Sequence, residues 1–143
     1  MLIVDDQQSV RDVLQSLLGR AGYRTFGVES GREAIALAAI ESIDGALIDV
    51  HMPVMNGFDT CLSLQSQANS FGRPLRVWFM TGAITKSLEC RSADLGTFGV
   101  LGKPFDFVAL TARLGIGFSS PFPPLPSVSQ EAAAIASDVS VPP

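Results

Sequence analysis

Four short apolar runs and one mixed segment, separated by stretches of helical periodicity, limit what this chain can fold into. In chain order they are Met1 to Val4 before Asp5, the mixed Tyr23 to Val28, Gly45 to Ile48 before Asp49, Val77 to Met80 before Thr81, and Phe98 to Leu101 two residues before Lys103. Each is too short for a helix, and a continuous apolar run of this length suits a strand buried on both faces. Between the first two, Val10, Val13, Leu14, Leu17 and Leu18 recur at spacings of three and four, which predicts a helix closed by Gly19 and Gly22. Ser30-Gly31-Arg32-Glu33 reads as a capping box opening an alanine-rich helix to Ile40. Further helices are predicted from Phe58 to about Gln67, from Thr85 to Asp94, and from Asp106 to Leu114, where Gly115 stops the last. Parallel strands need a crossover that covers a face, so this alternation predicts an α/β protein: a doubly wound, five-stranded parallel sheet with five helices.

The pattern stops after Phe118. Residues 119–143 hold six of the nine prolines, six serines and two charged residues, a composition unable to bury enough apolar surface to fold alone. A domain over residues 1–118 and a disordered Pro/Ser/Ala-rich tail over residues 119–143 are expected. PxxP matches at Pro121/Pro124 and Pro123/Pro126 lack the neighbouring arginine or lysine that such ligands often use. The 143 residues are 47% hydrophobic and carry a net charge of −4, which gives one domain an ample core but offers a nucleic-acid backbone no basic field. No direct nucleic-acid binding is expected. Neither a leader-like n-region and h-region nor a membrane-length apolar stretch occurs, so no membrane insertion and a cytoplasmic location are expected. Cys61 and Cys90 form no CxxC pair and read as reduced thiols.

In an open parallel sheet, ligands bind outside the carboxyl ends of the strands. Asp5, Asp6, Asp49, Thr81 and Lys103 all stand there. Three carboxylates brought together repel one another, so such a site must protonate one or recruit a cation. Mg2+ favours a few carboxylates plus water and phosphate oxygens, which Asp6 and Asp49, assisted by Asp5, could offer. Asp49 could then attack a phosphoryl group, with the Lys103 ammonium and Thr81 hydroxyl stabilising charge on its oxygens.

The surrounding motifs agree. Asp5-Asp6 follows the first strand, Asp49-Val50-His51-Met52-Pro53-Val54-Met55-Asn56-Gly57 the third, Thr81-Gly82-Ala83 the fourth and Lys103-Pro104-Phe105 the fifth. In these the chain, over residues 1 to about 118, resembles the receiver domain of two-component response regulators, of the single-domain, chemotaxis-regulator-like type. The resemblance implies a flavodoxin-like strand order 2-1-3-4-5. It further implies Asp49 as phosphoacceptor, Asp5 and Asp6 as metal-binding acids, the His51 backbone carbonyl as a further metal ligand, Thr81 as switch hydroxyl and Lys103 as phosphate contact, with Lys103-Pro104 cis. Such domains accept a phosphoryl group from a histidine kinase or phosphotransfer protein, with Mg2+ as cofactor. They then shift the face of helix four, strand five and helix five toward a downstream protein, and are not enzymes on other substrates. The His51 side chain and the residues Met52, Met55 and Met80 read as site rim and packing.

Two departures stand out. The family usually places Tyr or Phe three residues before the lysine, where Val100 stands; by strand alternation Phe98 shares that face, as a stand-in or as core. The fifth helix looks short, ending in Gly115-Ile116-Gly117. A phosphorylation-independent scaffold and a receiver excised from a longer regulator or hybrid kinase are alternatives. A haloacid-dehalogenase-type hydrolase would need an aspartate where His51 stands.

Overall fold

The four apolar runs and the mixed segment become the strands of one parallel sheet, and each periodic stretch the helix that carries the chain to the next. The computed structural model describes residues 1–105 and 107–114. In chain order the elements are β1 (Leu2–Val4), α1 (Gln8–Arg20), β2 (Phe26–Val28), α2 (Gly31–Ile40), β3 (Gly45–Asp49), α3 (Gly57–Ser70), β4 (Arg76–Thr81), α4 (Lys86–Asp94), β5 (Gly99–Gly102) and α5 (Phe107–Leu114). The strands are ordered β2-β1-β3-β4-β5 and all pairs are parallel. The winding reverses between β1 and β3, the switch point at which a crevice opens. Val4 lies beside Ile48, Asp49 beside Met80 and Thr81 beside Gly102, so the polar residues that follow or end these strands emerge along one edge.

Alternation along the strands divides the interior in two. Leu2, Val4, Ala46, Ile48, Val77, Phe79 and Val100 pack with Ala34 of α2, Cys61 and Leu64 of α3, and Leu88 of α4. On the other face, Ile3, Leu47, Trp78, Met80 and Leu101 pack with Leu14 and Leu18 of α1 and Leu110 and Leu114 of α5. Local signals place the helix ends. Asn56 and Thr85 cap α3 and α4 by accepting from Asp59 N–H and Leu88 N–H, and Ser30 caps α2 by accepting from Glu33 N–H. The predicted capping box is shifted by one residue, because the Glu33 carboxylate accepts from Glu29 N–H rather than from the cap itself.

Strand ends shift by a residue from the expectation in β1, β3, β4 and β5, and β2 shifts further. β2 begins at Phe26, not Tyr23, because Tyr23 N–H is still engaged with the Leu18 carbonyl of α1, and the regular pairing with β1 starts where Phe26 N–H meets the Met1 carbonyl. β5 begins at Gly99, one residue late. Both cysteines are free, Cys61 buried and Cys90 exposed. The proposed tail, residues 119–143, together with Asp106 and Gly115 to Phe118, lies outside the described residues.

Candidate functional site

The site is assembled where β1, β3, β4 and β5 end. Asp5 is the first residue after β1, is fully buried, and has both carboxylate oxygens engaged. Its Oδ1 accepts from Gln7 N–H at 2.9 Å, and its Oδ2 accepts from Lys103 Nζ at 2.6 Å. Asp49, the last residue of β3, is 5% exposed and accepts from the same Nζ at 3.3 Å. Asp6 is exposed and has no hydrogen-bond partner of its own among the described residues. Asp5, Asp6 and Asp49 each bring a carboxylate oxygen to within 4.8 Å of the other two.

The backbone beneath Asp49 is held from two sides. Val50 N–H donates to the Met80 carbonyl at 3.0 Å, and Gly57 N–H donates to the Val50 carbonyl at 3.1 Å, folding the β3–α3 loop back onto the strand. Gly57 is required there, since a Cβ would stand 2.3 Å from the Asp49 carbonyl oxygen. Within this loop Val54 is 94% exposed with φ 70°, a left-handed conformation unusual for a β-branched residue. The His51 side chain is exposed at the site rim, while Met52 packs against the core and Met80 lies inside it.

Three carboxylates face one ammonium, and the imbalance marks the groups. Burial pushes the Asp49 carboxyl up from the ordinary range; the Asp5 and Asp6 charges add to this and Lys103 opposes it. Burial works against the Lys103 ammonium, but its hydrogen bond to Asp5 and the charges of Asp49 and Asp5 prevail and raise it. The cluster therefore carries excess negative charge around an all-oxygen donor set, with Asp6 open to water, which fits a small hydrated divalent cation.

Thr81 ends β4 almost wholly buried, and its carbonyl accepts from Lys103 N–H at 2.8 Å, tying the ends of β4 and β5 together. Its hydroxyl is turned into its own loop, donating to the Ala83 carbonyl at 3.1 Å and accepting from Ala83 N–H at 3.2 Å. The Lys103–Pro104 bond is cis, as expected.

The structure thus gathers Asp5, Asp6, Asp49 and Lys103, with Thr81 on the adjoining strand end. The expectation for Phe98 is corrected. Its ring meets Trp78 edge-on at 5.2 Å and lies under the Arg76 guanidinium at 5.6 Å, on the α1/α5 side of the sheet, while Val100 packs on the other. Gly99, at φ 143°, breaks the alternation between them. Phe98 is 52% exposed, so it is not core. It does not take the place of the missing ring either, because its ring turns to Trp78 while Val100 packs with the cluster on the other face of the sheet. Sequence reasoning missed Arg11, whose Nη1 donates to the Asp5 carbonyl at 2.7 Å. A basic residue in the first turn of a helix, where the macrodipole disfavours it, was the available signal.

Comparison with known proteins agrees with this geometry. The chemotaxis protein CheY4 of Vibrio cholerae superposes with a TM-score of 0.71 at 32% identity, over 80% of this chain and 93% of that one. The response regulator MprA of Mycolicibacterium vanbaalenii is 33% identical over 114 residues, covering 80% of this chain and 48% of the relative. The sensor histidine kinase AruS of Pseudomonas aeruginosa is 34% identical over 122 residues, covering 85% of this chain and 12% of the relative. The chain therefore spans about half, or far less, of the length of these curated relatives. The model of the response regulator receiver domain matches residues 1–115, and with the strand order, the acidic cluster and the lysine in place, the chain belongs to that family.

Proposed function

We propose that Asp49 accepts a phosphoryl group from a phosphohistidine on a histidine kinase or phosphotransfer protein, and that the aspartyl phosphate repositions the α4–β5–α5 face for a downstream protein. The observation that carries this reading is the meeting of Asp49 with Lys103 Nζ at 3.3 Å beside the cluster of Asp5, Asp6 and Asp49. A carboxylate oxygen of Asp49 attacks phosphorus; the O–P bond forms as the N–P bond of the donor breaks, and its electron pair returns to the imidazole nitrogen. Lys103, already held by both Asp5 and Asp49, follows the charge onto the phosphoryl oxygens. The residues that would hold Mg2+ are Asp6 and Asp49, with Asp5 and the His51 backbone carbonyl beside them, and the ion would supply positive charge to the phosphoryl oxygens. Thr81 leaves Ala83 to meet one of those oxygens. Loss of its two hydrogen bonds is cheap because Gly82 and Ala83 are exposed and water can replace it.

On this reading the protein is a phosphorylation-controlled binding module of a two-component system, acting on no substrate beyond its own Asp49. Its place would be the cytoplasm; no helix among the described residues is long and apolar enough to cross a membrane. Intact-mass measurement with acetyl phosphate and Mg2+ tests the chemistry: wild type should gain one phosphoryl group and Asp49→Asn none. Equal adducts on both proteins would remove Asp49 as the acceptor.

A further inference from the structure

The two acids that follow β1 are placed very differently. The Asp5 side chain is fully committed, one oxygen to Gln7 N–H and the other to Lys103. Asp6 is exposed and no described group hydrogen-bonds its carboxylate, so its position depends on the backbone that carries it. That backbone is a turn of three residues, Asp5-Asp6-Gln7, between the end of β1 and the start of α1. Its upstream end is secured where Asp5 N–H donates to the Val28 carbonyl at 3.2 Å. Its downstream end is held through the Gln7 backbone, whose N–H donates to Asp5 Oδ1 at 2.9 Å, while the Gln7 side chain makes no cap hydrogen bond to α1. The peptide unit joining Asp5 to Asp6 has its carbonyl oxygen held by Arg11 Nη1 at 2.7 Å, a short, charge-assisted bond in a half-buried setting.

Arg11 belongs to the first turn of α1, its N–H donating to the Gln7 carbonyl at 3.2 Å. Its guanidinium therefore folds back from the helix onto the turn that precedes it and closes a ring from β1 through the acids to α1. A peptide plane fixed at its oxygen restricts rotation about the bonds leading into Asp6. A ligand carboxylate is thereby kept near the cluster without a side-chain tether that would compete with a cation for its oxygens.

From this geometry we infer that Arg11 is a positioning residue for the divalent cation: by holding the Asp5 carbonyl it presets Asp6, and it never touches the ion or the phosphoryl group. The inference rests on the proposed role of the acidic cluster. Partners hydrogen-bonded directly to a metal ligand are worth about 10–100-fold in metal affinity, and Arg11, acting one peptide unit away, is expected at the low end of that range.

The test compares wild type, Arg11→Met, which keeps the aliphatic stem, and Arg11→Lys, which restores a charged donor, by calorimetric titration with MgCl2 alone and by backbone amide NMR without metal. Arg11→Met should bind Mg2+ about tenfold more weakly at unchanged metal-free thermal midpoint, and Arg11→Lys should recover part of the loss. In the metal-free spectra the Asp6 and Gln7 amides of Arg11→Met should broaden or shift while those around Asp49 stay in place. Mg2+ affinity equal to wild type in Arg11→Met overturns the inference and leaves the proposed function standing. An affinity loss explained entirely by a lower folded fraction also overturns it, by reducing Arg11 to a structural role. If wild type itself binds no Mg2+ and gains no phosphoryl group, the proposed function fails instead.

Discussion

The sheet centre, β1–β3–β4, and the α4–β5 edge of the molecule are held together in different ways. Every residue of β1 and β3 is buried, and α3 is drawn against the end of β3 by Gly57, where even a methyl group would collide with backbone. On the other side, α4 reads Lys86-Ser87-Leu88-Glu89-Cys90-Arg91-Ser92-Ala93-Asp94 and buries only Leu88 and Ser92. Two contacts from α3 steady it: Arg91 over the Phe58 ring at 3.9 Å, and Gln65 Nε2 donating to the Leu95 carbonyl at 2.8 Å. Ser92 and Thr97 join hydroxyls across its C-terminal turn. The phosphoacceptor stands on the densely packed centre. Chemistry depends on geometry that does not drift, whereas an element meant to move must be cheap to release, and low burial with exposed polar contacts is what makes it cheap.

The sharpest way to break this contrast is to cut matched cavities in the two regions. Leu47→Ala, in the middle of β3, should cost about 3–4 kcal/mol in urea denaturation, and Leu88→Ala, on α4, about 2 kcal/mol because α4 can settle into the space. Equal losses would show that α4 is as firmly built in as β3. A smaller effect probes the well-packed region through Cys61, whose thiol is pushed up by burial from 9.0 to about 11. Between those values the unfolded chain releases the proton while the folded one retains it, so the contribution is complete below pH 9 and lost as pH rises toward 11. A shift of that size is worth about 2–3 kcal/mol. Stability of wild type should fall over that window and that of Cys61→Ala should fall less; Tyr23, raised from 10.0 to about 12 chiefly by burial, overlaps the upper part of the window but acts equally in both proteins. Parallel pH profiles would mean that water reaches Cys61. Smallest of all, Arg91→Ala should lower hydrogen-exchange protection in α4 by about 0.5–1 kcal/mol without changing protection in β1 or β3. A uniform drop across the sheet would show that the two regions open as one unit.

Much of this was legible before any coordinates. Buried parallel strands announce themselves as uninterrupted apolar runs, and because all five run the same way, the polar residues that follow them share an edge; Asp5, Asp6, Asp49, Thr81 and Lys103 could be grouped on that basis. Three features were not legible, each for its own reason. The Arg11 bond to the Asp5 carbonyl crosses a turn between two elements, where no periodicity records it. The commitment of both Asp5 oxygens depends on the reach of a lysine 98 positions away. The left-handed Val54 contradicts local preference, since Gly or Asn suits such a φ better, so only the folded loop reveals it.

Gly99 has a consequence for parity. Strand side chains alternate between the two faces of a sheet, and Gly99, at φ 143° and first in β5, resets that alternation for the residue before it. Phe98 thereby meets Trp78 and Arg76 at the edge of the sheet. Between α4 and the edge of β5 lies a groove of about 280 Å³, bordered by Glu89, Ser92, Thr97, Phe98, Val100 and Arg113. Val100 thus packs in one core with Leu88 of α4 where the ring of other receivers would stand, and the nearest aromatic, Phe98, sits at the groove's rim with its ring against Trp78.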